Sequence, residues 1–152
     1  LDGLVHNAAI LGQRTPIQSY STATWQSVMQ VNMNASFILS KALIPLMSES
    51  ADARMLFTSS GVGRTGVAYW GAYSVSKFAI EGLAQLLADE LTETTNIRVN
   101  AVNPGGTRTS MRAAAFPAEN PAGVKSAEDL MSGYLYLLGP DSRAISGQSI
   151  DI

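Results

Sequence analysis

The clearest hydrophobic pattern in the chain begins at Tyr73 and runs to about Leu91. Apolar residues recur there at helical spacing without a proline, which predicts one long helix. At 100° per residue, Tyr73 and Lys77 lie within about 40° of each other on the apolar face. Burying a phenol and an ammonium on such a face is costly unless both find partners. The same face carries Ile80, Ala84, Leu87 and Leu91.

Shorter apolar segments predict four β-strands, over residues 1–5, 54–58, 97–102 and 147–152. Helices are predicted between them, so that strands and helices alternate along the chain. This order predicts an α/β fold with a parallel sheet that is covered on both faces. Functional sites in such sheets form at the carboxyl ends of the strands.

The helix after the first strand places an amide, Asn32, in the middle of its buried face. Asn32 is either a satisfied core amide or an amide that holds a water or a backbone group at a site. Pro45 is expected to end or kink this helix. The buried face consists of Trp25, Val28, Met29, Asn32, Ser36, Leu39 and Leu43.

The segment of residues 107–121 contains two prolines and no clear periodicity, which predicts an irregular, mobile lid. Beyond it, Ser126 and Asp129 resemble a capping box that opens a helix, and Gly139-Pro140 ends that helix.

Composition describes a soluble globular protein, with 46% hydrophobic and 14% charged residues among 152. The net charge of -2 provides no basic patch, so neither nucleic acid nor an anionic membrane is an expected partner. No cysteine is present, which fits a reducing compartment such as the cytoplasm. The first residue, Leu1, is not Met, and we therefore expect a fragment.

Three local motifs are interpreted as carrying no separate function. His6, the only histidine, has no second ligand at metal-binding spacing and is interpreted as a hydrogen-bonded loop residue. Gly61, Gly63 and Gly66 match the dinucleotide fingerprint, but no helix is predicted to open at Gly66. Ser74 and Lys77 fit the Ser-x-x-Lys pattern of serine acylases without that group's other motifs.

The Tyr73 and Lys77 pair is the strongest candidate for chemistry. A cation within a few Å favours the phenolate, so Lys77 is expected to lower the pKa of Tyr73 and make it a proton donor and acceptor. The alternative is a half-buried Tyr73 with Lys77 extending to solvent, and the spacing alone favours that alternative.

Five motifs occur in order along the chain, and Ser60 precedes Tyr73 by thirteen residues. The motifs are His6-Asn7-Ala8-Ala9, Val31-Asn32-Met33-Asn34, Ser60, Tyr73-x-x-x-Lys77 and Pro104-Gly105. In this order and spacing the chain resembles the short-chain dehydrogenase/reductase family, and the resemblance covers essentially all residues. Two departures from the family pattern are that Ala9 replaces the usual Gly and His6 the usual first Asn.

This resemblance implies catalytic roles for four residues. Tyr73 would be the general acid that protonates a carbonyl oxygen as hydride arrives from a nicotinamide, and the base in reverse. Lys77 would lower the Tyr73 pKa and bind the nicotinamide ribose. Ser60 would hydrogen-bond the substrate oxygen, and Asn32 would hold a water that relays protons to Lys77. The implied cofactor is NAD or NADP, bound by Asn7, Ala8, Tyr73, Lys77, Pro104, Gly105, Thr107 and Thr109, without a metal.

Family members begin with a strand, a Gly-rich turn and a helix that bind pyrophosphate, and the sequence does not contain them. We therefore expect residues 1–152 to form a partial Rossmann-like domain, the C-terminal two thirds of a doubly wound parallel sheet. The chain alone is expected to bind NADPH or NADH weakly or not at all and to be inactive.

Two functions follow as hypotheses. The first is an NAD(P)-dependent oxidoreductase that interconverts a small-molecule carbonyl and an alcohol. The second is a non-catalytic module that assembles through helix faces, since Ala79, Leu83 and Leu86 widen the apolar arc of the Tyr73 helix. The family's habit of pairing this helix implies a homodimer or homotetramer. The sequence distinguishes neither NAD from NADP nor one substrate from another.

Overall fold

The computed structural model describes residues 1–152 and contains one four-stranded parallel sheet in the order β1-β2-β3-β4. Each strand lies within two residues of its predicted bounds. The predicted α/β architecture with a parallel sheet is therefore confirmed. The strands are β1 (Gly3–His6), β2 (Ala53–Thr58), β3 (Ile97–Asn103) and β4 (Ser149–Asp151).

Five α-helices and one π-helical segment connect the strands. The π segment, Gln30–Asn34, joins the first two helices without a break. Short 3-10 turns occur at Ile17–Ser19, Gly61–Gly63, Pro121–Gly123, Glu128–Leu130 and Pro140–Ser142. The helices are α1 (Thr22–Met29), α2 (Ala35–Ser48), α3 (Gly71–Thr92), α4 (Ser110–Ala115) and α5 (Met131–Leu138).

Both faces of the sheet are covered, as predicted. On one face, Met47 of α2 and the apolar side of α3 pack against Met55, Phe57 and Val99. On the other face, Leu137 of α5 packs against Leu56 of β2 and Val102 of β3. The predicted buried face of α3 is confirmed, because Tyr73, Lys77, Ile80, Ala84, Leu87 and Leu91 are all buried.

The predicted buried face of α2 is wrong at Leu39, which is 48% exposed, whereas Ser40 is buried in its place. Ser36 is buried as predicted, and Leu43 is half-buried. A π segment holds more residues per turn than an α-helix, so it rotates the face that follows it. Pro45 does not end the helix, which continues to Ser48.

The segment predicted to be irregular contains a short helix, α4. The hydroxyl of Thr109 caps it by accepting a hydrogen bond from the Arg112 amide at 3.2 Å. The run of alanines at its C-terminal end has high helix propensity, which the presence of two prolines nearby obscured.

The capping box before α5 is confirmed, since Ser126 and Asp129 exchange hydrogen bonds of 2.7 and 3.3 Å.

No helix in the structure is long and apolar enough to cross a membrane.

Gly61, Gly63 and Gly66, which match the dinucleotide fingerprint, are not directly followed by a helix, as predicted. Gly61 and Gly63 form a 3-10 turn, and the next helix opens only at Gly71, which excludes a helix N-terminus at Gly66.

Candidate active site

A cavity of about 760 Å³ opens at the carboxyl ends of the strands. Parallel strands bring their carboxyl ends to one edge of a sheet, and the loops after β1, β2 and β3 therefore meet there. Asn32 alone among the predicted site residues is not part of the wall. The wall includes Asn7, Ala8, Ser60, Tyr73, Lys77, Pro104, Gly105, Thr107 and Thr109.

Lys77 reaches across from α3 to the end of β2. Its side chain is buried, and Nζ donates a hydrogen bond of 2.6 Å to the main-chain oxygen of Thr58. Burial lowers the pKa of Lys77 to about 8, because an ammonium loses hydration in the interior. Lys77 therefore does not extend into solvent, which removes the alternative interpretation of its spacing from Tyr73.

Tyr73 is buried beside Lys77, whose Nζ lies 5.5 Å from the centroid of the phenol ring. Burial raises the pKa of Tyr73, and the nearby Ser60 hydroxyl lowers it by less. The overall shift of the Tyr73 pKa is therefore upward, whereas Lys77 was expected to shift it downward, because burial has the larger effect.

Ser60 is held against α3 by the tight turn that follows it. The Gly63 amide donates to the Ser60 carbonyl at 2.8 Å. A Cβ on Gly63 would lie only 2.8 Å from Cβ of Lys77, so only glycine permits this close approach. Packing between the turn and the helix thus brings Ser60 to the same wall as Tyr73.

Asn32 uses its amide to hold backbone rather than to face the cavity. Its Oδ1 accepts from the Ile10 amide at 2.8 Å, and Nδ2 donates to the Ile10 oxygen and to Ser76 Oγ, both at 3.0 Å. Ser76 in turn donates to the Tyr73 oxygen at 2.7 Å. The Asn32 amide therefore holds a backbone group, one of the two expected alternatives, and clamps the loop after β1 to α3. The water that Asn32 was expected to hold stays a prediction.

A chain of hydroxyl groups crosses the ends of β1 and β2. Thr58 Oγ1 donates to Asn7 Oδ1 at 3.0 Å, which leaves Tyr134 Oη of α5 to donate to Thr58 Oγ1, also at 3.0 Å. Burial raises the pKa of Tyr134, which keeps this phenol protonated. Thr58 therefore orients Asn7 with its side chain and Lys77 with its main chain.

The turn after β3 presents backbone to the cavity. Gly105 has φ of 66°, a conformation that favours glycine, and no atom lies within 4 Å of where its Cβ would be. Asn103 Oδ1 accepts from the Gly105 amide at 3.1 Å. Beyond the turn, the Thr107 hydroxyl is buried without a partner, whereas the Thr109 hydroxyl caps α4.

Aromatic and guanidinium groups join α4 to the rest of the cavity rim. Trp70 lines the cavity, with its ring centroid 5.7 Å from that of Tyr73 and 5.8 Å from that of Phe116. Arg14 lies over Trp70 with Cζ 4.6 Å from the ring centroid, and it donates to the Ala115 oxygen. Arg112 stacks on Phe116 and forms two hydrogen bonds to Glu119.

His6 lies in β1 rather than in a loop, and it is hydrogen-bonded as interpreted. Its Nε2 is 2.9 Å from Ser40 Oγ, and its ring stacks on Phe57 at 4.5 Å. Burial lowers its pKa to about 4. No cluster of three or more potential metal-ligating side chains occurs in the structure.

Four residues support the site but were not among those predicted to form it, namely Thr58, Trp70, Asn103 and Tyr134. Thr58 had a usable signal, because it is the last residue of a strand whose end was expected to carry the site. Tyr134 had none, since an apolar helix does not indicate which of its residues faces a distant strand end.

The parallel sheet with the buried Tyr73 and Lys77 pair at its carboxyl edge defines an α/β protein of Rossmann-like architecture. The model of the short chain dehydrogenase family matches residues 1–120. The chain therefore belongs to the short chain dehydrogenase family, as the resemblance implied.

Two curated relatives show how specific this relationship is. An uncharacterized oxidoreductase of Escherichia coli K12, YciK, is 52% identical over 99% of this chain and 59% of that protein. A 3alpha-hydroxysteroid dehydrogenase of Mediterraneibacter gnavus is 37% identical over the whole chain and 63% of that protein. The chain thus spans about three fifths of the length of these relatives.

Solved structures show the same fold. A short chain dehydrogenase from Salmonella enterica serovar Typhi is 53% identical with a TM-score of 0.97, covering 99% of this chain and 62% of that one. A short chain dehydrogenase from Shigella flexneri, complexed with NADP, is 52% identical with a TM-score of 0.96 over the same shares. The Rossmann-like fold is thereby shown.

Proposed function

We propose that the polypeptide containing these residues is an NAD(P)-dependent oxidoreductase that interconverts a small-molecule carbonyl and an alcohol, with Tyr73 as acid and base. The observation that carries this proposal is the meeting of Ser60, Tyr73 and Lys77 at one cavity wall. A scaffold has no need of three polar groups at this position, because burying them costs free energy.

The cavity has the properties that a nicotinamide dinucleotide requires. No Asp or Glu lines it, whereas Lys77 and Arg112 do, so an anionic ligand meets no repulsion. The open side of Gly105 and the unpartnered Thr107 hydroxyl offer backbone approach and a hydrogen bond. We assign cofactor contacts to Asn7, Ala8, Tyr73, Lys77, Pro104, Gly105, Thr107 and Thr109.

NADP is the preferred form of the cofactor in this proposal, because solved relatives at 52% identity are complexed with NADP and NADPH. When bound, the nicotinamide supplies or accepts the hydride.

Proton transfer falls to Tyr73. The raised pKa of this phenol keeps it protonated at neutral pH, which suits donation to a carbonyl oxygen that gains negative charge. Ser60 donates a second hydrogen bond to the same oxygen and stabilises that charge. The Lys77 ammonium, fixed by Thr58, adds positive charge next to Tyr73 and favours the phenolate left after transfer.

Asn32 contributes to this chemistry by holding Tyr73 in position. Its bonds to Ile10 and Ser76 fix the loop after β1 and the first turns of α3 relative to each other. Because Ser76 bonds the main chain of Tyr73, the clamp limits how far the phenol can move.

The test is Tyr73→Phe in the complete polypeptide that contains these 152 residues. NADPH oxidation is followed with a panel of aldehydes and ketones that includes 3-oxosteroids. The variant is expected to lose at least about a hundredfold in kcat/KM while retaining its Kd for NADPH, because only the proton donor is removed. Tyr69→Phe is the matched control, since Tyr69 is 57% exposed. Equal turnover in Tyr73→Phe and wild type would refute the assignment.

Exposed apolar side chains support self-assembly as well. Phe37 and Ile38 of α2 and Phe78 and Leu86 of α3 are each between 44% and 53% exposed, on helices that cover the same face of the sheet. We infer that this face pairs with a second copy to give a homodimer or homotetramer. Sedimentation of Phe78→Glu should show dissociation. A module that assembles but never turns over NADPH would instead support the non-catalytic alternative.

A further inference from the structure

A hydrogen-bonded network lies behind the Pro104-Gly105 turn and connects residues far apart in the chain. Arg64, in the loop after β2, donates from Nη1 to Asp151 Oδ1 of β4 at 2.6 Å. The same Oδ1 accepts from Asn103 Nδ2 at 2.8 Å. Asn103 then accepts from the Gly105 amide through Oδ1 at 3.1 Å. An unbroken path therefore runs from Arg64 to the backbone of the turn.

The polarity of this path fixes the orientation of the Asn103 amide. Asp151 can only accept while ionised, so the NH₂ group of Asn103 must face it. This places Oδ1 opposite the Gly105 amide, where it can accept. With the amide reversed, two N–H groups would face each other and the turn would lose its internal bond.

Arg64 is itself held on three sides. Nε donates to Ser149 Oγ at 2.9 Å and approaches the buried Glu81 Oε1 at 3.3 Å. Its guanidinium thus joins the loop that carries Ser60, helix α3 and the last strand. Arg64 is the cation that pairs with Asp151, whose side chain is 70% exposed and also accepts the bond from Asn103.

We propose that Arg64 is a positioning residue, which acts through Asp151 and Asn103 to hold the Pro104-Gly105 turn in its cofactor-binding shape. This inference rests on the proposed function, because it takes that turn to be part of the cofactor site. It adds Arg64, Asn103 and Asp151, none of which is among the residues assigned to contact the cofactor.

Asp151→Ala is the first test, because this exposed residue can be removed without leaving a buried charge. In the complete polypeptide that contains these 152 residues, hydrogen exchange of the Gly105 amide is expected to become about tenfold faster, as when a hydrogen bond to a charged group is lost. In the complete polypeptide, fluorescence titration is expected to show an about tenfold higher Kd for NADPH. Asp89→Ala is the matched control, since Asp89 is exposed on α3 and forms no ion pair.

Arg64 itself is tested with two variants. Arg64→Met should reproduce the effects of Asp151→Ala, while Arg64→Lys, which keeps the charge, should recover part of the affinity. A general loss of structure would lower the melting temperature and activity together. Positioning instead predicts a higher Kd for NADPH with an unchanged pH profile of kcat, because Tyr73 and Lys77 are untouched.

The outcomes separate the two proposals. If the wild type binds NADPH and Asp151→Ala binds it equally well, or leaves Gly105 exchange unchanged, the positioning role is wrong and the proposed function stands. If the wild-type complete polypeptide does not bind NADPH, the proposed function fails, and the cofactor role of the turn fails with it. Faster Gly105 exchange together with a raised Kd supports the inference.

Discussion

The ammonium of Lys77 is bonded to the main-chain oxygen of Thr58 at 2.6 Å, at the end of the central strand β2. The bond connects the Lys77 side chain to the end of β2, the strand whose first five residues are all buried. It also explains how a lysine can occupy the interior, because a main-chain acceptor replaces part of the lost hydration.

Lys77 is expected to titrate at about pH 8 in the chain without cofactor. Because the unfolded chain keeps this proton up to about pH 10.5, it binds more protons than the folded chain between these values. The free energy of unfolding should therefore rise with pH over this window, by about 3 kcal/mol in total. Chemical denaturation from pH 7 to pH 10.5, compared with Lys77→Met, measures this contribution.

The ¹³Cε resonance of Lys77 provides an independent check of its titration. A midpoint near the ordinary lysine value, or the same pH dependence of stability in Lys77→Met, would contradict the buried ammonium.

Asn32→Ala should destabilise the protein strongly. The substitution removes two hydrogen bonds to Ile10 and one to Ser76. Leaving these partners unsatisfied should lower the free energy of unfolding by about 2 to 3 kcal/mol. Urea denaturation measures the loss. Asn34→Ala is the control, because Asn34 bonds only the exposed Gln30 side chain, and an equal loss there would refute the clamp.

Arg14→Ala should release α4 from the rim of the cavity. The variant loses the bond to the Ala115 oxygen and the stacking on Trp70 and Phe116. Loss of these contacts together should raise the equilibrium constant for local opening of α4 about tenfold. Hydrogen exchange at the Phe116 amide should accelerate by that factor, with Arg143→Ala, which is 69% exposed, as the control. Unchanged exchange would show that α4 is held by other contacts.

His6 should remain neutral down to about pH 4. Between pH 6.5 and pH 4 the unfolded chain binds more protons, so the free energy of unfolding should fall as the pH falls, by about 3 kcal/mol in total. Because His6 is the only histidine, its ring proton gives a single NMR signal whose midpoint tests the value directly. His6→Asn should remove this part of the acid sensitivity.

Periodicity predicted the strands, the long helix α3 and its buried face. These features follow from local rules, because spacing along one element decides which side chains share a face. The same rules failed in α2 at Leu39. The π segment before α2 rotates its buried face, so that Ser40 is buried instead of Leu39. Asn32, which lies within the π segment, is bonded to Ile10, and a contact between residues so far apart in the chain is not visible to local rules.

The sequence by itself determined which segments form strands and helices, how they alternate along the chain, and the facing of Tyr73 and Lys77 on one helix. Each of these features depends on residues a few positions apart. Only the tertiary structure decided that Lys77 bonds Thr58, that Asn32 holds Ile10, and that Arg64 reaches Asp151. Hydrogen bonds between side chains on different elements depend on how those elements pack in three dimensions. Burial, which shifts the pKa values of Tyr73 and Lys77, likewise exists only once the sheet and its helices have closed around them.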